Sequence, residues 1–471
     1  MAFNSLTFFF FLAATFAAYW FASVFADSKR VHIQNLVLLL ASIAFYMSWD
    51  CRLLALLILE IAVAYFVAFL LKRNDSRFVS VIAVIFFVGV LGYFKYAGFF
   101  VESLRDLMIA IGFNPDWPTL KIVAPIGISF YTFMCLGYVL DVAWKRIEPV
   151  KDFLRFFAMM SFFPQIVAGP IGRIASLDPQ FIKSRSFDFD FATSGLALIA
   201  LGLVKKMVIA DTLGQYVDKI FAIPSYFDAA SCLVAAIFFT IQICCDFSGY
   251  SDVARGVARL FGIDLMVNFD RPYLARTFGE FWHRWHISLS TWFRDYVYIP
   301  LGGSRTGLAR TIVNTWVVFL LSGLWHGAAW TFVVWGGLHA VYLTCGILRK
   351  RIFGKPVVSQ NVLKQMFDMG VVIVFVSLAW VFFRANSFAN LGDFFLTLCK
   401  GSWGLPDGRV DGMIFYLMPY CVTGLSVVLG LMPFERLTKS VSSRFAFIAI
   451  AIMLIAFIGL PCGGEFIYQR F

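Results

Sequence analysis

Apolar runs of about 20 residues alternate with short polar connections along most of this chain. The runs near residues 6–26, 34–49, 53–71, 78–98 and 122–143 are continuous. They lack the period-two alternation of a barrel strand, so each reads as a helix long enough to cross a bilayer. The connections differ in charge. Asp27-Ser28-Lys29-Arg30, Lys72 to Arg77 and Lys145 to Arg155 are basic, whereas residues 50–52 and 101–120 are nearly balanced. Basic connections stay on the cytoplasmic side, which places the N-terminus outside and satisfies five spans in succession. The first run has no basic leader segment and no small-residue cleavage pattern, and is read as a retained span.

Further along, the pattern becomes irregular. Residues 156–170 are too short and broken to cross, and both flanks are basic, with Arg155 before and Arg173, Lys183 and Arg185 after. A re-entrant element is expected, beside a cavity, because irregular backbone at membrane depth survives only against protein or water. Spans near 190–210 and 228–249 follow. Residues 250–310 hold no long apolar run but carry Arg255, Arg259, Arg271, Arg276, Arg284, Arg294, Arg305 and Arg310. Within them, 278–298 mixes aromatic residues with Arg and His, the composition of a helix lying in the membrane interface. A hairpin over 311–325 and 328–347 and spans near 370–384, 413–432 and 444–460 complete the chain, with 463–471 outside. The expected fold is all-α, a single polytopic domain over 1–471. It has about 11–12 transmembrane helices, plus re-entrant and interfacial helices, around a central cavity.

Composition agrees. The 471 residues are 61% hydrophobic and 14% charged, with 56 phenylalanines, more apolar surface than a soluble domain can cover. The net charge of +11 would suggest nucleic acid in a soluble protein. In a membrane protein it reflects the basic cytoplasmic loops, so no nucleic-acid partner is expected. None of the nine cysteines has metal-ligand spacing, and Cys244-Cys245 falls inside an apolar helix, so buried thiols are the expected state. Cys51 and Cys462 both fall on the outer side, where a disulfide is conceivable.

The chemistry concentrates in histidine. Only five occur, and His283, His286 and His326 lie in one arginine- and tryptophan-rich stretch. His326, in Leu324-Trp325-His326-Gly327-Ala328-Ala329-Trp330, falls between the two arms of the hairpin. An ionisable group at membrane depth is a functional candidate by default, and an imidazole titrating at about 6.5 suits a general base near neutrality. Trp325, Trp330 and Trp335 are placed to wall a water-excluding pocket. The competing reading is a histidine bonded to a neighbouring helix carbonyl. His283 and His286, three apart, would share a helix face, which is compatible with metal. No third ligand completes such a site, so no metal is expected. His32 and His339 are read as a loop and a packed helix position. Asp246, ending an apolar span, is expected to pair with an arginine, and Asp252 and Asp295 likewise. No Walker-type phosphate loop and no Gly-x-Ser-x-Gly elbow occurs. These observations reach a membrane enzyme or transporter and name no substrate.

Several segments together resemble the membrane-bound O-acyltransferase superfamily. Within it they resemble the bacterial alginate O-acetyltransferase branch, related to the D-alanyl-lipoteichoic acid transferases. They are Pro125 to Phe133, Phe163-Pro164-Gln165-Ile166-Val167-Ala168-Gly169-Pro170-Ile171 and Asp246-Phe247-Ser248-Gly249-Tyr250-Ser251-Asp252. Phe281-Trp282, Trp285 to Tyr296, Tyr298 to Gly303, Leu321 to Gly327 and Trp380 to Ala385 follow, with Phe466-Ile467-Tyr468 near the C-terminus. The resemblance implies a catalytic core over about 91–385 and acyl transfer centred on His326, the family's essential histidine, and His286, its second motif histidine. Trp325, Trp285, Arg294, Asp295, Tyr250 and Asp246, from the same motifs, are the expected substrate-binding set. His283 stands where Arg or Asn is expected.

The resemblance further implies that a cytoplasmic thioester, acetyl-CoA, is the acetyl donor, with no bound cofactor. The protein would sit in the bacterial inner membrane. A periplasmic SGNH-type or esterase-like acetyltransferase would complete delivery to a polysaccharide: alginate, cellulose, another exopolysaccharide or peptidoglycan. Three readings compete: a transporter using the histidines as a proton relay, an enzyme acylating a lipid, and a scaffold for a secretion complex.

Overall fold

The computed structural model describes residues 1–49, 51–115, 122, 124–167, 169–354, 360–401, 403 and 411–459. Among them, every regular element is helical. Among the described residues nine helices are long and apolar enough to cross a membrane, and two shorter apolar helices, Ile128–Ala143 and Met413–Val428, accompany them. Large apolar side chains face outward, Phe66 at 62%, Ile85 at 64% and Phe457 at 84% exposure. Water would make such a surface costly and lipid tails make it natural. This is a multi-pass membrane protein. The pairing of Cys51 with Cys462 and the Phe466-Ile467-Tyr468 motif lie outside the described residues.

The chain divides into two compact units, Met1–Ala192 with Val257–Leu265, and Thr193–Gly256 with Met266–Phe471. The first carries α1 (Leu6–Phe21), α2 (Asp27–Met47), α3 (Leu54–Asn74), α4 (Arg77–Leu91), α5 (Ala97–Ala110) and α6 (Ile128–Ala143). A π-helical stretch, Gly92–Tyr96, joins α4 and α5 into one 34-residue rod. Helix therefore continues into residues the charge pattern assigned to a connection. Next come α7 (Phe153–Met160), α8 (Phe163–Ile166) and α9 (Ile174–Phe181). At about 1.5 Å per residue α7 is about 12 Å long, too short to cross. All residues from Phe156 to Val167 are nevertheless buried. The Phe163 N–H at the head of α8 is satisfied by Ser42 Oγ of α2 at 3.1 Å. Gly127, at φ +74°, enters α6 so close to α8 that a Cβ would lie 2.2 Å from the Ile166 carbonyl oxygen.

The second unit holds the site. It contains most of α10 (Phe189–Leu203), then π-helical Val204–Ala210, α11 (Asp211–Ala222) and most of α12 (Ala229–Leu260). The short α13 (Phe278–Arg284) and α14 (Ile287–Phe293) lead to the hairpin α15 (Leu308–His326) and α16 (Trp330–Phe353). The unit closes with α17 (Val362–Arg384), α18 (Phe388–Lys400), α19 (Asp411–Val428), α20 (Phe434–Leu437) and α21 (Val441–Ile458). This unit departs from the expected pattern at three places. α12 runs unbroken for 32 residues, so 250–260 is helix and Asp246 sits inside it, not at its end. Residues 278–298 form two short helices and a π-helical stretch, Arg294–Tyr298, instead of one interfacial helix. α17 begins eight residues before the expected start at 370.

Glycine sets how closely the hairpin closes. A Cβ on Gly336 would lie 2.2 Å from the Phe319 carbonyl oxygen, and one on Gly323 2.3 Å from that of Phe332. Small residues at such crossings let backbones touch, which is how membrane helices gain packing where lipid removes the hydrophobic drive. Gly336→Val is expected to force α15 and α16 apart at a cost of about 1–3 kcal/mol, lowering the melting temperature followed by fluorescence-detected gel filtration. Gly337→Val is the control, because a Cβ there meets nothing within 4 Å. Equal melting of the two variants would contradict this packing.

Candidate active site

His326 is the last residue of α15, and the chain leaves it in extended backbone at Gly327 (φ −165°, ψ 154°). A Cβ at Gly327 would fall 2.2 Å from the Phe332 ring, so the sharp exit needs glycine. The turn holds the imidazole inside the protein, at 3% exposure. Its ring centroid is 4.9 Å from Trp325, 4.9 Å from Trp335 and 5.3 Å from Phe383. Trp335 and Phe383 come from α16 and α17. Trp325 and Trp335 therefore wall the histidine as expected, whereas Trp330 is 51% exposed and belongs to the surface.

His286 reaches the same place from the break between α13 and α14. α13 stops at Trp285, in extended backbone, and His286 turns left-handed (φ 42°, ψ 55°) before α14 begins. The break puts His283 on the exposed side and buries His286 completely. The two do not share a helix face, which corrects the i, i+3 expectation. A left-handed non-glycine residue carries strain of about 1–3 kcal/mol and persists only where its surroundings impose it. Asn268 does so here. Its backbone carbonyl accepts the Ile287 N–H at 3.0 Å. Its Oδ1 accepts both the Ser288 N–H (3.0 Å) and the Ser288 hydroxyl (2.9 Å). The Asp270 N–H donates to the Arg284 carbonyl at 2.9 Å, fastening the same segment on the other side of the break. Sequence reasoning missed Asn268; nothing in its local pattern marks a contact 20 residues away.

The two imidazoles lie 6.4 Å apart, centroid to centroid, with Trp325 beside both, 5.7 Å from His286. Phe247 of α12 closes on His286 edge-on at 4.5 Å, and Phe269 stacks on it at 6.4 Å. Trp285 packs on Phe269 (5.0 Å) and on Trp380 of α17 (4.9 Å). His339 is fully buried between Trp335 (4.9 Å) and Trp282 (5.0 Å), a packed helix position as expected.

The remaining nominated residues fall into two groups. Asp246 and Tyr250 are buried one turn apart on α12, and Asp246 precedes the Phe247 that covers His286. Its partner is Lys206, at 2.5 Å, where an arginine was expected, and Lys206 also pairs with Asp211 at 2.8 Å. Asp252 pairs with Lys205 (2.6 Å) and Arg255 (3.5 Å). Arg294 and Asp295 pair with each other at 2.7 Å in the π-helical stretch after α14, with the Arg294 side chain 53% exposed.

Burial pulls the His286 imidazole down to about 3, so it stays neutral in the folded protein. Unfolded, it titrates at about 6.5 and takes up a proton that the native state refuses. Its contribution to stability is therefore undiminished above about 6.5 and is lost progressively as the pH falls towards 3. Thermal unfolding of the wild type is expected to weaken between pH 7 and pH 5 more than that of His286→Gln. Parallel curves would refute the assignment.

A multi-pass helical membrane protein that encloses two imidazoles in an aromatic wall defines a narrow class. This chain belongs to the membrane-bound O-acyltransferase family, whose pattern matches residues 147–385, and it is an acyltransferase. It is 36% identical over 417 residues to the probable alginate O-acetylase AlgI of Pseudomonas syringae pv. tomato, covering 86% of this chain and 77% of that protein. It is 32% identical over 441 residues to the peptidoglycan O-acetyltransferase of Helicobacter pylori, covering 86% and 80%. A more partial likeness, 27% over 241 residues, joins it to the teichoic acid D-alanyltransferase of Bacillus subtilis, covering 49% and 61%. The matched family region includes His286, His326 and the Asn268 clamp.

Proposed function

We propose that this protein is a bacterial inner-membrane O-acetyltransferase that moves acetyl groups from cytoplasmic acetyl-CoA to an acceptor on the far side, for O-acetylation of an exported polysaccharide. The observation that carries the reading is the buried pair His286 and His326, 6.4 Å apart inside a wall of aromatic rings. Two relatives named for O-acetylation of alginate and of peptidoglycan supply the acyl group and the acceptor class. The immediate acceptor is a hydroxyl of a periplasmic SGNH-type or esterase-like partner, which passes the acetyl group to the polymer.

His326 is the general base. The acceptor oxygen bonds to the thioester carbonyl carbon, the hydroxyl proton passes to a ring nitrogen of His326, and the carbonyl pair moves onto oxygen. Collapse re-forms the carbonyl, breaks the C–S bond and returns the proton from His326 to the thiolate. The products are the acetyl ester and free thiol. The aromatic wall excludes the water that would otherwise hydrolyse the thioester. The Arg276 backbone N–H donates to Glu280, but the guanidinium groups of Arg276 and Arg305 form no ion pair among the described residues and are suited to draw in the donor's phosphates.

The test is sided. Inside-out vesicles holding this protein and its periplasmic partner receive acetyl-labelled CoA from the exposed cytoplasmic face. Label on the luminal partner, absent without this protein, supports the reading. CoA release without luminal label, or label whose appearance ignores His326→Ala, rejects it.

A further inference from the structure

The clamp that holds His286 leaves one chemical group unused. Asn268 is 1% exposed. Its Oδ1 is committed twice over, to the Ser288 N–H and to the Ser288 hydroxyl. A backbone N–H can only donate, so the atom facing it is the amide oxygen, and the orientation of the amide is fixed. The other end of that amide, Nδ2 with its two hydrogens, is buried and has no acceptor among the described residues. A buried donor without an acceptor is costly and uncommon, and where one occurs it calls for a functional explanation.

Its surroundings supply one. Asn268 bonds the two residues that follow His286, and Phe269, the next residue, stacks on the His286 ring. The uncommitted amide end therefore belongs to the residue that fixes the turn presenting His286, whose ring lies 6.4 Å from that of His326. We infer that the Nδ2 amide of Asn268 donates to the acyl carbonyl oxygen as that atom becomes an oxyanion during acetyl transfer. The inference rests on the function proposed above and adds the charge-stabilising group that function requires. A side-chain amide locked by a backbone contact is a preorganised donor. It reorients little as charge develops, which is the condition under which such donors accelerate acyl transfer. In this arrangement one residue performs two tasks: its oxygen imposes the left-handed turn that presents His286, and its nitrogen meets the reacting carbonyl.

Asn268→Asp separates the tasks, because a carboxylate still accepts from Ser288 but has no N–H. Acetyl transfer at pH 8 is expected to fall in kcat by about 100-fold or more, with KM for acetyl-CoA little changed. Activity should return in part as the pH is lowered and the carboxyl gains a proton to donate. Asn268→Ala, lacking both groups, should lose activity at every pH and melt lower. Wild-type kcat in Asn268→Asp across the pH range would overturn the inference. Should that variant not accumulate, infrared spectroscopy of the wild type with the ketone analogue of acetyl-CoA, methylene replacing sulfur, gives a second reading. A carbonyl stretch lowered relative to water supports the donor, and an unshifted one removes it. His326→Ala is assayed alongside. If it retains full turnover, the proposed function itself fails; if it is inactive while Asn268→Asp is normal, only the donor assignment fails.

Discussion

Replacing His326 with alanine is expected to reduce acetyl transfer by about 1,000-fold or more, within the range that a positioned general base contributes. The imidazole is 3% exposed and packed edge-on against Trp325 and Trp335, so bulk water cannot take over proton removal. Binding of the donor should persist, because the rings around it remain. Loss should therefore appear in kcat with KM little changed, measured as label transferred from acetyl-CoA in membranes carrying matched amounts of protein. His326→Gln, which keeps volume and hydrogen bonding but not basicity, should be equally inactive and should melt close to the wild type. A glutamine variant with substantial turnover would show that the ring only packs.

Removal of Lys206 should have the largest effect on stability. Its ammonium lies 2.8 Å from Asp211 and 2.5 Å from Asp246, and the three side chains are 9%, 6% and 1% exposed. Lys206→Met takes this cation from two carboxylates in a poorly solvated interior, a change worth about 3–5 kcal/mol. The expected result is a sharply lower melting temperature in detergent and little protein in the membrane. The triple variant with Asp211→Asn and Asp246→Asn should recover most of the loss, since neutral partners no longer need the ammonium. Failure of the triple variant to recover would mean that the cluster acts through shape and not charge. Activity should follow stability, because Asp246 precedes Phe247 on α12 and Phe247 covers His286.

The membrane class and the place of His326 were legible because both follow from local quantities. An apolar run long enough to cross is visible as such, and a histidine flanked by tryptophans between two such runs is conspicuous. Other features were not. Residues 278–298 have a continuous amphipathic composition, yet the helix breaks at His286, because Asn268 satisfies the N–H groups of Ile287 and Ser288 from outside. The pairing of Asp246 also went astray: arginines crowd the sequence after it, but the cation that meets it is Lys206, on a π-helical stretch before α11. Trp330 looked equivalent to its neighbours in the motif, and only its position at the first turn of α16 turns it outward.

The amino-acid sequence alone determined that this chain lives in a bilayer, that it is helical, and that its chemistry belongs to histidine. Hydrophobic length and residue type are properties of a segment by itself. Only the tertiary structure decided that two of the five histidines meet, that one of them is held in a strained turn, and that the asparagine clamping that turn keeps its amide donors uncommitted. Those facts depend on which distant backbone groups find each other once helices pack, and hydrogen-bond partners are chosen by proximity in space, which no local pattern of residues encodes.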